Sequence, residues 1–160
     1  MSNYIFKETQ SFNQPWIWGI LILVTGITLY GLISQPIKGW EAVIPILILG
    51  LVILLFISMR LKTRIDASGL SFSYTPFIGQ RKYSMAQIQN LELIEYNSLL
   101  KFGGWGIRYN LNMWAYNVGG KHGLIVSLKN KKFLIGTQKP EEMKHAIEQF
   151  NELKSGNHAG

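Results

Sequence analysis

The chain has few side chains able to do covalent or acid–base chemistry. It contains three histidines (His122, His145 and His158), nine acidic residues of which Asp66 is the one aspartate, and no cysteine. Without cysteine there is no disulfide scaffold, no thiolate zinc site and no cysteine nucleophile. No two histidines have metal-ligand spacing. Glu92 and Glu95 fall three apart on a strand-like stretch, so they face opposite sides and cannot act as a carboxylate pair. No serine lies in a nucleophile-elbow pattern. These patterns point away from hydrolytic and metal chemistry, so no catalytic residue, metal ligand or cofactor is expected. A deep pocket placing His122 against a carboxylate is the arrangement that would restore an enzyme.

Binding chemistry has more to draw on. Residues 101–120 read KFGGWGIRYNLNMWAYNVGG, rich in Gly, Trp and Tyr and free of carboxylates. A phosphate-cradling loop does not fit, because no helix pattern and no Gly-Lys-Ser/Thr follow GGWG. Ile107 and Tyr109 alternate with Arg108 and Asn110, and Trp114 and Tyr116 with Ala115 and Asn117. Two strands are predicted, with a turn near Asn112-Met113 and most of the aromatics packed in a core. Gly103, Gly104 and Gly106 mark a bulge or tight corner before them. Lys101, Trp105 and Arg108 are the candidate interaction surface. Between Glu95 and Glu141 there is no acid, while Lys101, Arg108, Lys121, Lys129, Lys131, Lys132 and Lys139 all fall in that interval. The formal net charge is +7. Such charge suits an anionic lipid surface, at about 1 kcal/mol for each basic group near it. Ordinary solubilising charge is the other account.

The elements that must position these groups begin with lipid. WIWGILILVTGITLYGLI (16–33) and AVIPILILGLVILLFISM (42–59) are each free of charge and long enough to cross a bilayer as a helix. Trp16, Trp18 and Trp40 lie at segment ends, where aromatic rings prefer the headgroup level. Pro15 suits a helix start, and Pro45 the first turn of the second run. The connector SQPIKGWE is short, so the two runs form a hairpin. RLKTR follows, with Arg60, Lys62 and Arg64 and no acid, which places that end in the cytoplasm. Both termini are then cytoplasmic, in the inner membrane. No small-x-small cleavage site follows the first run, and Lys7 is offset by Glu8, so a retained anchor is expected rather than a signal peptide.

Beyond Arg60 the period changes to two. Leu70, Phe72 and Tyr74 alternate with Ser71 and Ser73 after a turn at Asp66–Gly69. RKYS and IQNLELIEY read as further strands, and GLIVSLKNKKFLIGT as a hairpin turning at Asn130-Lys131. Met143, Ala146, Ile147, Phe150 and Leu153 then form a helical stripe after Pro140, packing on the sheet or facing a partner. The organisation is a cytoplasmic segment (1–14), a transmembrane hairpin (15–60), a mainly-β domain of about seven antiparallel strands with a C-terminal helix (61–154) and a disordered tail (155–160).

Two N-terminal spans, an all-β domain and a terminal helix, with the segments GGWGIRY, WAYNV and FLIGTQKPEE, resemble the bacterial pleckstrin-homology-like membrane proteins. The resemblance implies a bent, seven-stranded sheet capped at one end by the final helix. In phosphoinositide-binding relatives, basic residues cluster in the first hairpin turn. Here that turn is Asp66–Gly69, with basic residues only before it. The expected function is a non-enzymatic inner-membrane protein whose β domain binds a protein partner, another copy of itself or the leaflet surface, and not nucleic acid. The alternative is an accessory subunit of a larger transport or envelope complex, acting through its transmembrane helices.

Overall fold

The computed structural model describes residues 4–34 and 39–156. Lys38 in the connector, His158 and residues 157–160 of the expected tail lie outside the described residues. The chain divides into two compact units, residues 12–59 and a unit made of residues 1–11 with 60–160.

The smaller unit holds α1 (Pro15–Ser34) and α2 (Trp40–Ser58). Both helices are long and apolar enough to cross a membrane. Neither has a buried side chain. Three of their hydroxyls turn back on their own helix: Thr25 donates to the Leu21 carbonyl at 2.6 Å, Thr28 to Val24 at 2.8 Å and Ser58 to Leu54 at 2.6 Å. That satisfies polar groups without water, as an apolar solvent requires. The Phe12 amide donates to the Met59 carbonyl at 3.3 Å, and the Phe12 and Phe56 rings lie 5.2 Å apart, so the helices run antiparallel. α2 starts at Trp40, before the apolar run, so Pro45 falls in the second turn and removes one ladder bond, the one to Glu41.

The larger unit is built on two sheets. β1 (Tyr4–Ser11), β2 (Arg60–Asp66), β3 (Gly69–Thr75) and β4 (Ile78–Ser84) form an antiparallel sheet in that order. The period-two pattern sends Leu61, Thr63 and Ile65 inward on β2 and Leu70, Phe72 and Tyr74 inward on β3. In the β2–β3 turn, Asp66 Oδ1 accepts from the Ser68 amide at 3.0 Å. Gly69 follows at φ 146°, where a Cβ would collide with the Tyr83 carbonyl. β1 lies in a segment with no predicted element, and it precedes the helical pair in sequence.

A 3-10 turn (Met85–Gln87) leads to β5 (Ile88–Glu95), then a short helix α3 (Ser98–Phe102), β6 (Gly106–Tyr109), β7 (Trp114–Asn117), β8 (His122–Leu128) and β9 (Lys132–Thr137). The second sheet has the order β5-β8-β9-β7-β6, with β7 and β9 parallel and the other neighbours antiparallel. Among the described residues nine strands stand where about seven were expected, one of them ahead of the helices in sequence. Gly103, Gly104 and Gly106, at φ 68°, 132° and 106°, turn the chain from α3 into β6. These are left-handed values that a side chain would resist.

The sheets meet through aromatic rings. Phe72 of the first lies 4.9 Å from Tyr116 and 5.4 Å from Phe133 of the second, and Tyr83 lies 5.1 Å from Phe133. α4 (Pro140–Gly156) packs on β1, β2, β5 and β8. Glu141 and Glu142 occupy its first turn, and Met143, Ala146 and Phe150 are buried. Burying Met143 and Phe150 contributes about 1.5–3 kcal/mol each. The stripe therefore serves the core over most of its length. Only Leu153, at its end, is exposed, and Ser155 and Gly156 continue the helix.

Candidate functional site

β2 alternates strictly. With Leu61, Thr63 and Ile65 in the core, Arg60, Lys62 and Arg64 project from the opposite face. The register adds residues from distant segments to them. Lys7 of β1 pairs with Arg64, Arg64 with Ser71 of β3, and Ser71 with Lys82 of β4. One row across four strands thus reads Lys7, Arg64, Ser71, Lys82. Neighbouring strands are about 4.8 Å apart, so the row spans roughly 14 Å. In the next row Lys62 stands between Thr9 and Ser73, and Arg60 between Ser11 and Thr75.

Asp66 is the one carboxylate of β1–β4 on this face. It lies 3.3 Å from Arg64 Nε. Burial raises its pKa, but bonds from the Ser68 hydroxyl and amide and the charge of Arg64 outweigh that and hold it below the usual carboxylate range. Glu8 belongs to the other face. It is 5 % exposed, and its carboxylate accepts from the Thr137 hydroxyl at 2.7 Å and the Gln138 amide at 2.9 Å. It is therefore not part of the outer surface that carries Lys7. A groove of about 600 Å³ is bordered by Arg64, Asp66, Ser71 and Lys82. A second, of about 430 Å³, is bordered by Lys7, Thr9, Lys62, Arg64 and Ser73. Lys7 and Lys82 escape a reading of the sequence as parts of this surface, because only the register brings them to Arg64.

Lys101, Trp105 and Arg108 occupy the corner of α3 and β6. Arg108 Nε donates to the Trp105 carbonyl at 3.1 Å. Lys101 joins through its carbonyl, which accepts from Asn110 Nδ2 at 3.4 Å. Lys101 and Arg108 are exposed and Trp105 half-buried. Beside them Leu100, Tyr109, Leu111 and Trp114 are exposed. Core packing, expected for the aromatics here, holds for Tyr116 but not for Tyr109 and Trp114. Trp114 and Tyr116 share one face of β7. The first sheet covers Tyr116 with Phe72 and leaves Trp114 to pair across the strands with Tyr109, ring to ring at 5.1 Å.

Two of the histidines each have a carboxylate for a neighbour. His122 lies opposite Glu95 in the β5–β8 ladder. The neighbouring groove of about 560 Å³ is lined by Glu95, Tyr96, Ser98, Trp105 and Lys121, without His122. His145 lies on exposed α4, with Nδ1 3.5 Å from Glu148. Among the described residues no group of three or more His, Asp or Glu could hold a metal ion.

In the helical unit Trp16 and Trp18 lie at the start of α1 and Trp40 opens α2. Because the helices are antiparallel, these rings mark opposite ends of the pair, in keeping with two interfacial belts. Comparison with protein-family models, with curated proteins and with solved structures found no match to this chain.

Proposed function

We propose that the chain is a non-enzymatic protein of the inner membrane, anchored by the α1–α2 hairpin, whose cytoplasmic β unit is a binding module. The observation that carries this reading is the place of the hairpin. Two helices, apolar on every side, are inserted between two strands that are hydrogen-bonded neighbours. If the pair crosses a bilayer twice, β1 and the rest of its sheet return to one side, which puts both termini together. Arg60, Lys62 and Arg64 follow α2 without an acid until Asp66, which favours the cytoplasmic side. Two sheets closed by a terminal helix are compatible with a pleckstrin-homology-like module. Binding is supported by two basic surfaces.

Membrane fractionation tests the anchor. The full-length chain should remain with membranes through an alkaline wash and be released by detergent. Recovery in the supernatant without detergent would refute the proposal. Lys101→Glu with Arg108→Glu tests the corner as the contact for a protein partner or another copy. Unchanged co-purification from detergent would remove that assignment while leaving the anchor intact.

A further inference from the structure

The outer face of the first sheet sets like charges side by side. Lys7 and Arg64 are directly opposite each other in the β1–β2 ladder, an arrangement that opposes strand pairing. Arg60 and Lys62 continue the same face, and Lys82 ends the row two strands away from Arg64. Asp66 is the one carboxylate among them. Hydroxyls of Thr9, Ser71 and Ser73 stand between the cations, and Ser71 lies between Arg64 and Lys82 in register. Cations about 5–10 Å apart with hydroxyls between them match the spacing of phosphate oxyanions on a surface.

We propose that this face binds the headgroups of anionic phospholipids, with Lys7, Lys62, Arg64 and Lys82 as its contacts. The proposal rests on the membrane-anchored reading, and charge complementarity selects the occupant. The chain supplies the second argument. Only Met59 separates Arg60 from Ser58, the last residue of α2, so the cationic face begins two residues beyond a candidate span. A lipid surface at that span's end meets these side chains at a high effective concentration, which a dissolved anion lacks. The face differs from the Lys101, Trp105 and Arg108 corner, which is on the second sheet.

The chain has no cysteine, so Ser73→Cys gives a single attachment site for an environment-sensitive fluorophore on this face. The labelled full-length chain is placed in nanodiscs of phosphatidylcholine, with or without about 30 % phosphatidylglycerol, and quenched with neutral acrylamide. Quenching should fall in the anionic discs and return in about 0.5 M salt, where the Debye length is only a few ångströms. Neutralising one cation should weaken the contact about fivefold. Lys7→Gln, Lys62→Gln and Lys82→Gln together should therefore abolish the lipid dependence. These side chains are exposed, so the fold should be kept, and an unchanged thermal transition checks this.

Equal quenching in the two lipids would overturn the proposal, as would a lipid dependence that survives the triple variant. Inorganic phosphate, added at matched ionic strength, separates the sources. Protection restored to zwitterionic discs by phosphate, by an oligonucleotide or by an acidic peptide would mean a soluble anion is the ligand and would also overturn it. Failure to incorporate into discs would instead remove the anchor. Incorporation without lipid-dependent protection would leave the anchor and remove only this face.

Discussion

Ser11 and Arg60 are partners in the β1–β2 ladder, although the whole helical pair lies between them in sequence. The β unit is therefore discontinuous, and cutting the chain after α2 removes one of its strands. Two predictions separate here. Joining Ser11 to Arg60 through a hairpin turn of about two to five residues should give a folded β unit without α1 and α2. A fragment of residues 60–156 alone should be much less stable, because β2 becomes an open edge and the pocket of Phe6, 3 % exposed, is emptied. Losing that one side chain alone costs about 1.5–3 kcal/mol. Thermal unfolding followed by circular dichroism decides it. Equal stability of the two proteins would mean that β1 is dispensable.

Glu8 is predicted to be the polar tie that keeps β1 in place. Its carboxylate accepts from Thr137 and Gln138, and Gln10 Nε2 donates to the Gly136 carbonyl at 2.6 Å. Glu8→Ala leaves the buried Thr137 hydroxyl and the partly buried Gln138 amide without this acceptor. The expected loss is about 2 kcal/mol, because a stranded buried donor costs more than a net hydrogen bond gains. For a unit of this size that lowers Tm by roughly 8–16 °C. Glu8→Gln retains one acceptor oxygen and should lose less. A Glu8→Ala protein that melts with the wild type would show that water satisfies these groups.

The same residues show what could be read in advance. α1 and α2 are legible because two runs without a charge, 16–33 and 42–59, leave few alternatives. β3 is legible because its inward positions are apolar, β2 less so because Thr63 stands inward between Leu61 and Ile65, and α4 because its stripe is apolar. β1 is not. Its inward positions after Phe6 are Glu8 and Gln10, which reverses the expected pattern, and their partners lie about 126 to 130 residues away. β7 is legible as a strand, from Trp114 and Tyr116 alternating with Ala115 and Asn117, but its burial on both faces is not. It lies between β9 and β6 in the sheet, and Ala115, Tyr116, Asn117 and, just beyond the strand, Val118 are all buried, which the alternation does not disclose. Asn117, in the middle of that run, makes its own network: its amide donates to the Tyr96 hydroxyl at 3.0 Å and its Oδ1 accepts from the Gly106 amide at 2.9 Å. The cationic row was half legible. The spacing of Arg60, Lys62 and Arg64 is visible in the chain, whereas Lys7 beside Glu8 reads as a neutral pair until alternation sends them to opposite faces.

Alkaline pH should loosen the β unit. Tyr74, Tyr96 and Tyr116 are 0 %, 6 % and 4 % exposed. Burial raises the pKa of each, against smaller opposing effects from Arg108 on Tyr74, from Ser98 and Asn117 on Tyr96, and from Arg81 on Tyr116. A raised folded-state value means that the folded form holds the proton longer than the unfolded chain does. Below the unfolded value near pH 10 both states are protonated, and stability is fully present. As pH rises beyond it, only the unfolded chain ionises, so stability falls by up to about 1.4 kcal/mol per pH unit for each such tyrosine. Unfolding free energy should be level between about pH 7 and 9 and decline above 10. Tyr74→Phe, which also gives up the bond to the Asn117 carbonyl, should reduce that slope by one tyrosine's share. An unchanged slope would mean that the Tyr74 ring ionises as readily folded as unfolded.

Leu111 gives the last prediction. It sits in the β6–β7 turn at φ 59°, the one positive value outside glycine among the described residues, and is 89 % exposed. A leucine in the left-handed region costs about 1–2 kcal/mol, and here no burial offsets it. Asparagine adopts that region far more readily and avoids the larger chain-entropy loss of glycine. Leu111→Asn should therefore stabilise the protein by roughly 0.5–1 kcal/mol, raising Tm by a few degrees. The turn's own bonds need not change, since Tyr109 donates to the residue-111 carbonyl, at 3.0 Å, rather than to its side chain. Leu111→Ala keeps the strained backbone and should gain nothing, so it separates backbone relief from mere loss of an exposed apolar group. If Leu111→Asn instead lowers Tm, the side chain is buried against a partner in the purified protein, and the exposed corner of Tyr109, Leu111 and Trp114 is an interface. A drop confined to detergent-free membranes would identify that partner as lipid.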